Sequence, residues 1–357
     1  DTADLTVKQL QQNGQLAARN RIKVQSDSIS SKQTAIWAAG LDSEGKLSQG
    51  DATLNIDAQQ AQIAGTVLSG ESIAINATKN ADLSQSASQA KNIKIQTKQL
   101  KTESAKIIAD QQLDLTATQN IDNQKGQYSA NQINIDTKQL SNDQGLIQHT
   151  GQNDFILNVA DRIDNNTGKI ISNANNTEIK TASLNSNAGE ILHAGNQQLK
   201  ITAHNLQGQK GTIQSNSKLQ LELGATNLDK ATTTAQNINL NAKSLSHQQG
   251  QLIQSDANGQ LNVNVEQALD NTSGVISAAG HATLQTADLN NQQGVIQTLT
   301  GKDLKITSQK LNNQSGKIIA GQDANLQVSE LNNDQGTVYV DGKLDLQATQ
   351  DIRNQQG

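Results

Sequence analysis

The 357-residue chain contains no cysteine and no proline, and its aromatic residues are limited to Trp37, Phe155, Tyr128 and Tyr339. The absence of cysteine excludes a disulfide framework, a thiolate metal site and a thiol nucleophile. Proline cannot donate to a β ladder, so its absence suits a chain that pairs its backbone nearly everywhere. Thick multilayer cores lean on aromatic area, which is almost missing here. Hydrophobic residues make up 34%, against roughly 45–50% in ordinary globular domains. Low hydrophobicity also marks disorder, but disordered chains usually combine it with high net charge and proline. Here the net charge is −5, and the polar excess is Gln, Asn, Ser and Thr. The composition therefore describes an ordered chain with a solvated surface.

Nucleic-acid binding has no support, since 28 basic residues face 33 acidic ones and no basic run is interleaved with aromatics. The nearest approach to an apolar run, Ala35 to Leu41, is far short of the ~18 residues of a membrane-spanning helix. No signal peptide precedes Asp1, and the chain closes on Asn354-Gln355-Gln356-Gly357, partway through a repeat. It reads as a piece of a longer protein.

The repeat is clearest in Leu289-Asn-Asn-Gln-Gln-Gly294, Leu311-Asn-Asn-Gln-Ser-Gly316 and Leu331-Asn-Asn-Asp-Gln-Gly336. With the leading aliphatic as anchor, copies fall at Ile121, Leu140, Ile163, Leu184, Leu206, Leu228, Leu245, Leu269, Leu289, Leu311, Leu331 and Ile352, a mean period of about 21. Gly follows five positions later except in the Leu228 copy, which has Thr233. Asn two positions after the anchor is lost only in consecutive copies, at Ser186, Gly208, Lys230 and His247. Beyond the Gly, aliphatics alternate, as in Ile296 and Thr298, then Leu304-x-Ile306. Period-two alternation means strands with one buried face, and no copy carries a helical stripe.

The same pairs recur upstream at Leu54-x-Ile56, Ile73-x-Ile75, Ile93-x-Ile95, Leu113-x-Leu115 and Ile133-x-Ile135, and earlier at Leu5-x-Val7 and Ile22-x-Val24. No unit of this size can bury its apolar row alone, so successive copies must stack. The expected fold is all-β: a right-handed parallel β-helix, a solenoid of about 21-residue turns. Residues 1–24 form the first turns, 25–53 an irregular insertion or extended turn, and 54–357 continuous repeats. Ile296, Ile318 and Val338 are expected to stack inside. Gly is expected to supply positive φ at the corners, and Asn to bond local backbone and its counterparts in adjacent turns.

No catalytic, cofactor-binding or metal-binding residue emerges. The five His form no metal-ligating cluster, and His149 and His193 fall in an inward slot where a neutral ring suits them. A polysaccharide-active enzyme is the catalytic alternative, but it needs paired carboxylates in a groove, and sugar grooves favour aromatic platforms. The chain is read as not an enzyme. Trp37, in the stretch where the period breaks, is the candidate partner-binding residue, against the plainer reading that it covers the narrow core. The clustered loss of Asn from Ser186 to His247 is the second candidate location.

The copies Leu-Asn-Asn-Gln-x-Gly-x-Ile-x-Ala, followed by Leu-x-Ile-x-Ala, resemble the haemagglutinin repeats of large two-partner-secreted exoproteins. That group includes filamentous haemagglutinins and contact-dependent growth inhibition exoproteins. The stretch from Ala38 to Leu47 is similar to the segment that opens such arrays. The resemblance implies the structural shaft of a secreted adhesin or growth-inhibition exoprotein on a Gram-negative cell surface. It implies export through an outer-membrane β-barrel transporter, without a membrane-spanning segment in this piece, and a receptor or glycan on another cell as a candidate partner. The missing cysteines suit such threading, because a periplasmic disulfide would obstruct it.

Overall fold

Alternation decides the local structure. In Lys317–Ala320, Ile318 and Ala320 are buried, while Lys317 and Ile319 face outward. The computed structural model describes residues 1–42, 44, 46–47 and 50–357, and every regular element in it is a β-strand. The chain forms two compact units, Asp1–Ala174 and Asn175–Gly357. Each is a right-handed parallel β-solenoid.

Within unit two, a turn consists of a four-residue strand, a longer strand of about ten residues and a corner, which is Asn–Gly in the later turns. The short strands Val275–Ala278, Val295–Thr298 and Lys317–Ala320 pair in parallel, with Ile276, Ile296 and Ile318 in one inward column. Val338 continues that column beside Ile318 and is half-buried. The long strands pair likewise: Leu284 lies beside Ile306, and Ile306 beside Leu326. Midway along each long strand the alternation stops for two or three outward, exposed or half-buried residues, so the strand bends and opens another side of the coil. At this bend a small or hydroxyl residue faces in at Thr181, Ala203, Ala242, Thr286 and Ser308, and an aliphatic at Leu223, Val265 and Val328. Ser308 is typical, its Oγ donating to Ala287 O at 3.0 Å and Lys310 O at 2.7 Å.

Unit one repeats the plan. Ile73, Ile93, Leu113 and Ile133 form one inward column, and Ile75, Ile95, Leu115 and Ile135 the next. At the start the register differs from the sequence expectation. Leu5 pairs with Val24, not Ile22, so Val7 falls opposite Ser26 and is exposed.

The expected irregular stretch, 25–53, is narrower in the structure. The strand Arg21–Ser31 runs through its first part and pairs directly with Thr53–Gln62, setting Ile22 beside Leu54 and Val24 beside Ile56. Ile36–Ala39 is an ordinary short strand between Gln15–Ala18 and Gly65–Ser69. The chain leaves the coil only after Gly40. There Leu41 bridges antiparallel to Leu47, and Asp42 N donates to Lys46 O at 2.8 Å. Of the expected insertion, Ser43, Gly45, Ser48 and Gln49 lie outside the described residues.

Candidate functional site

The chemistry of each turn concentrates at its corner. The residue before the repeat Gly is the one with positive φ: Gln144 (56°), Thr167 (51°), Gln293 (56°), Ser315 (54°) and Gln335 (57°) among others. The Gly itself is required for a different reason from the one expected. A Cβ on Gly168 would stand 2.1 Å from Asn142 O, and one on Gly316 2.1 Å from Asn291 O. At these two corners the preceding turn's backbone passes too close for a side chain. The left-handed residue points its side chain to solvent, which is why Gln, Ser, Lys and Thr occupy it despite the steric cost.

The Asn two residues after the anchor turns inward. Asn123 Nδ2 donates to Asn142 Oδ1, and Asn142 Nδ2 to Asn165 Oδ1, both at 2.7 Å. In unit two the chain runs Asn271 to Asn291, Asn313 and Asn333 at 2.7 Å each, then to Asn354 at 2.8 Å. Asn271, Asn291 and Asn313 are wholly buried. All these amides point the same way, and each also donates towards the carbonyl of its own corner Gly, as Asn291 does to Gly294 O at 3.3 Å. A second, outer row runs oppositely: Asn332 donates to Asn312 and Asn312 to Asn290, at 3.1 and 2.9 Å.

The four copies lacking Asn need one correction. Leu206 pairs with Thr226, and Thr226 with Leu245. The anchor of the middle copy is therefore Thr226, and Leu228, not Lys230, fills the Asn slot, 1% exposed. Lys230 is the exposed left-handed residue (58°), Ala231 takes the Gly position, and Thr233 lies inward beside Ile213 and Leu252. The slots Ser186, Gly208, Leu228 and His247 are all interior, so the clustered loss of Asn is not a surface site.

Trp37 is also interior. Its side chain is 0% exposed, in the column between Leu16 and Val67, and Nε1 has no hydrogen-bond partner among the described residues. It packs the core and presents no surface to a partner. The inward slot holds His149 and His193 as expected, both buried. His149 stacks on Phe155 with centroids 5.0 Å apart, whereas His193 Nδ1 meets Ser215 Oγ at 2.9 Å and Nε2 meets Asn175 O at 3.2 Å.

Outward polar groups are largely engaged with each other. In the depression around His204, Glu222 and Lys243, the Glu222 carboxylate accepts from Gln220 at 2.9 Å and Asn241 at 3.0 and 3.2 Å. Around His281 the acidic side chains secure backbone: Asp303 accepts from Asp323 N and Asp323 from Lys343 N, at 3.2 and 2.8 Å. His281 Nδ1 accepts the Asp303 amide at 3.1 Å, so it does not donate to the carboxylate 3.4 Å away. Among the described residues no group of three or more His, Asp or Glu could hold a metal ion, and no helix is long and apolar enough to cross a membrane.

This geometry can be set beside known proteins. The haemagglutinin repeat model matches residues 2–60, 41–125, 102–158, 150–206, 194–265, 256–311 and 298–356. Toxin CdiA of Yersinia pestis is 27% identical over 317 residues, covering 83% of this chain. The chain spans only 9% of that relative's length. No solved structure matches. With matches running from residue 2 to residue 356, the chain belongs to the haemagglutinin-repeat family.

Proposed function

We propose that this chain is part of the shaft of a large secreted exoprotein, displayed on a Gram-negative surface, which carries functional domains out towards another cell. One observation carries the reading. The corner amides, the bend hydroxyls and much of the outward polar set bond to a neighbouring turn, so the side chains serve stacking and not a converging site. The length of the relative supports a shaft within something much larger, and its name favours a toxin-delivering parent over a simple adhesin. In this role the segment performs no catalysis and needs no cofactor. Its partner during export is an outer-membrane β-barrel transporter.

A whole-turn deletion tests this in the parent protein. Removing residues 292–313 joins equivalent positions, since Asn290 and Asn312 are in register. Antibody labelling of intact cells should show undiminished display, with target-cell engagement kept or only reduced in degree. Removing 292–302 breaks the register and should abolish display. Loss of engagement by the whole-turn deletion with display intact would favour a second reading, a receptor- or glycan-binding module. The antiparallel bridge between Leu41 and Leu47, outside the regular strands, is the feature that favours it. Labelling only after cell lysis would refute both.

A further inference from the structure

His247 occupies the column where later turns carry Asn, and it stands at the head of the longest ladder. Asn271 gives its Nδ2 to Asn291, which leaves Oδ1 facing His247 Nδ1 at 2.8 Å. An acceptor there requires the hydrogen on Nδ1. His247 Nε2 is then the unprotonated nitrogen; it is buried and has no hydrogen-bond partner among the described residues. The ring lies against Gly250, where an added Cβ would come within 2.7 Å of it. His193 differs, because both of its ring nitrogens have oxygen partners.

We propose that the His247 corner is an acid-sensitive seam, where a proton on Nε2 finds no acceptor and the corner opens while the asparagine-laddered turns beyond it hold. The surrounding charges do not compensate. The preceding corner carries Asp229 and Lys230. Asp229 is occupied by Ser246 Oγ at 2.7 Å and Gln248 N at 2.8 Å, and Lys230 is exposed. On the following side, Asp270 accepts from Gln248 Nε2 at 2.7 Å and from Thr272 N at 3.0 Å. The short strands Thr232–Ala235, Gln251–Gln254 and Val275–Ala278 bear no ionisable side chain. On the long strands, Lys218, Glu222, Lys243 and Glu266 all face outward.

Burial lowers the His247 pKa below the ordinary imidazole value, and the Asn271 bond, the Asp229 charge and the Gln251 backbone offset this only in part. The open corner therefore binds the proton more readily than the closed one. Stability is complete above the unfolded value of about 6.5 and falls as pH drops through it, until the folded value is reached. Asp270 acts in a separate, more acid window: burial raises its pKa, but its hydrogen bonds outweigh this and the net shift is downward.

Hydrogen exchange by mass spectrometry on the whole chain, corrected for intrinsic rates, tests the seam at about pH 7.5 and about pH 5.5. In peptides covering 245–274, the opening equilibrium should rise by up to about tenfold per pH unit below about 6.5. Peptides covering 289–316 should not change. His247→Asn, which extends the ladder, should abolish the response. In the unmodified chain, NMR of the imidazoles should show the His247 ring as the Nδ1–H tautomer, titrating well below about 6.5. An unchanged response in His247→Asn, an equal response at both corners, or a ring titrating at or above that value would each overturn the proposal.

Discussion

Asn313→Ala is the substitution that most directly weighs the interior ladder. The Asn313 side chain is wholly buried. It accepts from Asn291 at 2.7 Å and donates to Asn333 Oδ1 at 2.7 Å, Thr337 O at 3.2 Å and Gly316 O at 3.4 Å. Alanine strands Asn333 Oδ1 without that donor and takes from Asn291 Nδ2 its shortest acceptor, although Lys317 O at 3.2 Å and Gly294 O at 3.3 Å remain. A stranded buried polar group costs about 1–3 kcal/mol, so with one group orphaned and one partly satisfied the loss should be about 2–4 kcal/mol. This is more than a corner held by its neighbours would suggest from sequence. Gln314→Ala, on the half-buried outer side of the same corner, should stay within about 0.5 kcal/mol. Urea titration followed by far-ultraviolet circular dichroism gives both numbers, provided the slope is unchanged. Equal midpoints for the two variants would refute the ladder's energetic role. Asn313→Asp sharpens the test. A carboxylate there faces the Asn333, Gly316 and Thr337 oxygens, so the variant should be worse than alanine at neutral pH. It should recover as pH falls, because a protonated carboxyl can donate to Asn333.

Ile318→Asp buries a carboxylate between Ile296 and Val338 and should cost several kcal/mol, more than Asn313→Ala, in the same urea experiment. Gly316→Ala places a Cβ 2.1 Å from a backbone oxygen and should cost more than about 2 kcal/mol. Gly208→Ala meets only the Leu228 δ-methyl at 2.9 Å and should cost about 1 kcal/mol; equal losses would contradict the close-approach argument. Tyr128, buried and 2.5 Å from Thr102 Oγ1, has its phenol pushed well above the ordinary range by burial, with the Thr102 bond only partly opposing. The unfolded chain loses that proton above about pH 10 and the native one does not, so stability falls as pH rises past that point. Phenolate absorbance from Tyr128 should appear only with loss of the strand signal, which Tyr128→Phe as a reference can establish.

Much of the coil was legible because inward residues alternate and recur. Ile296, Ile318 and the pairs from Ile73-x-Ile75 to Ile133-x-Ile135 occupy the columns that the period assigns them. The corner was less legible, since sequence shows which residues sit together but not which one turns left-handed. Gly attracted the positive φ because it tolerates it, yet here a passing backbone excludes a side chain at Gly and leaves the strained angle to its neighbour. The register error at Leu228 did leave a trace: reading it as an anchor gives intervals of 22 and 17 residues on either side, whereas Thr226 gives 20 and 19. Composition favours a leucine anchor over a threonine one, and only the strand pairing decides. Trp37 misled for a similar reason. A lone aromatic near an interruption suits an exposed anchor, but the interruption begins three residues later, at Gly40.

Leu83 and Leu228 are both buried at the inner end of a corner, so an aliphatic side chain is tolerated at that position. Asn is therefore not there because nothing else fits. An aliphatic column is indifferent to small slips, and the Leu228 copy shows how readily a two-residue shift places another aliphatic in the anchor's place. An Asn at the same point is satisfied only when the next turn brings an amide oxygen to within bonding distance and the local carbonyls face it. Any other register leaves buried polar groups unpaired, at about 1–3 kcal/mol for each. The ladder thus adds to correct stacking and penalises a slip of part of a turn, a role for which buried polar side chains are best attested in coiled coils. The Asn-poor run from Ser186 to His247 is where that discrimination is weakest.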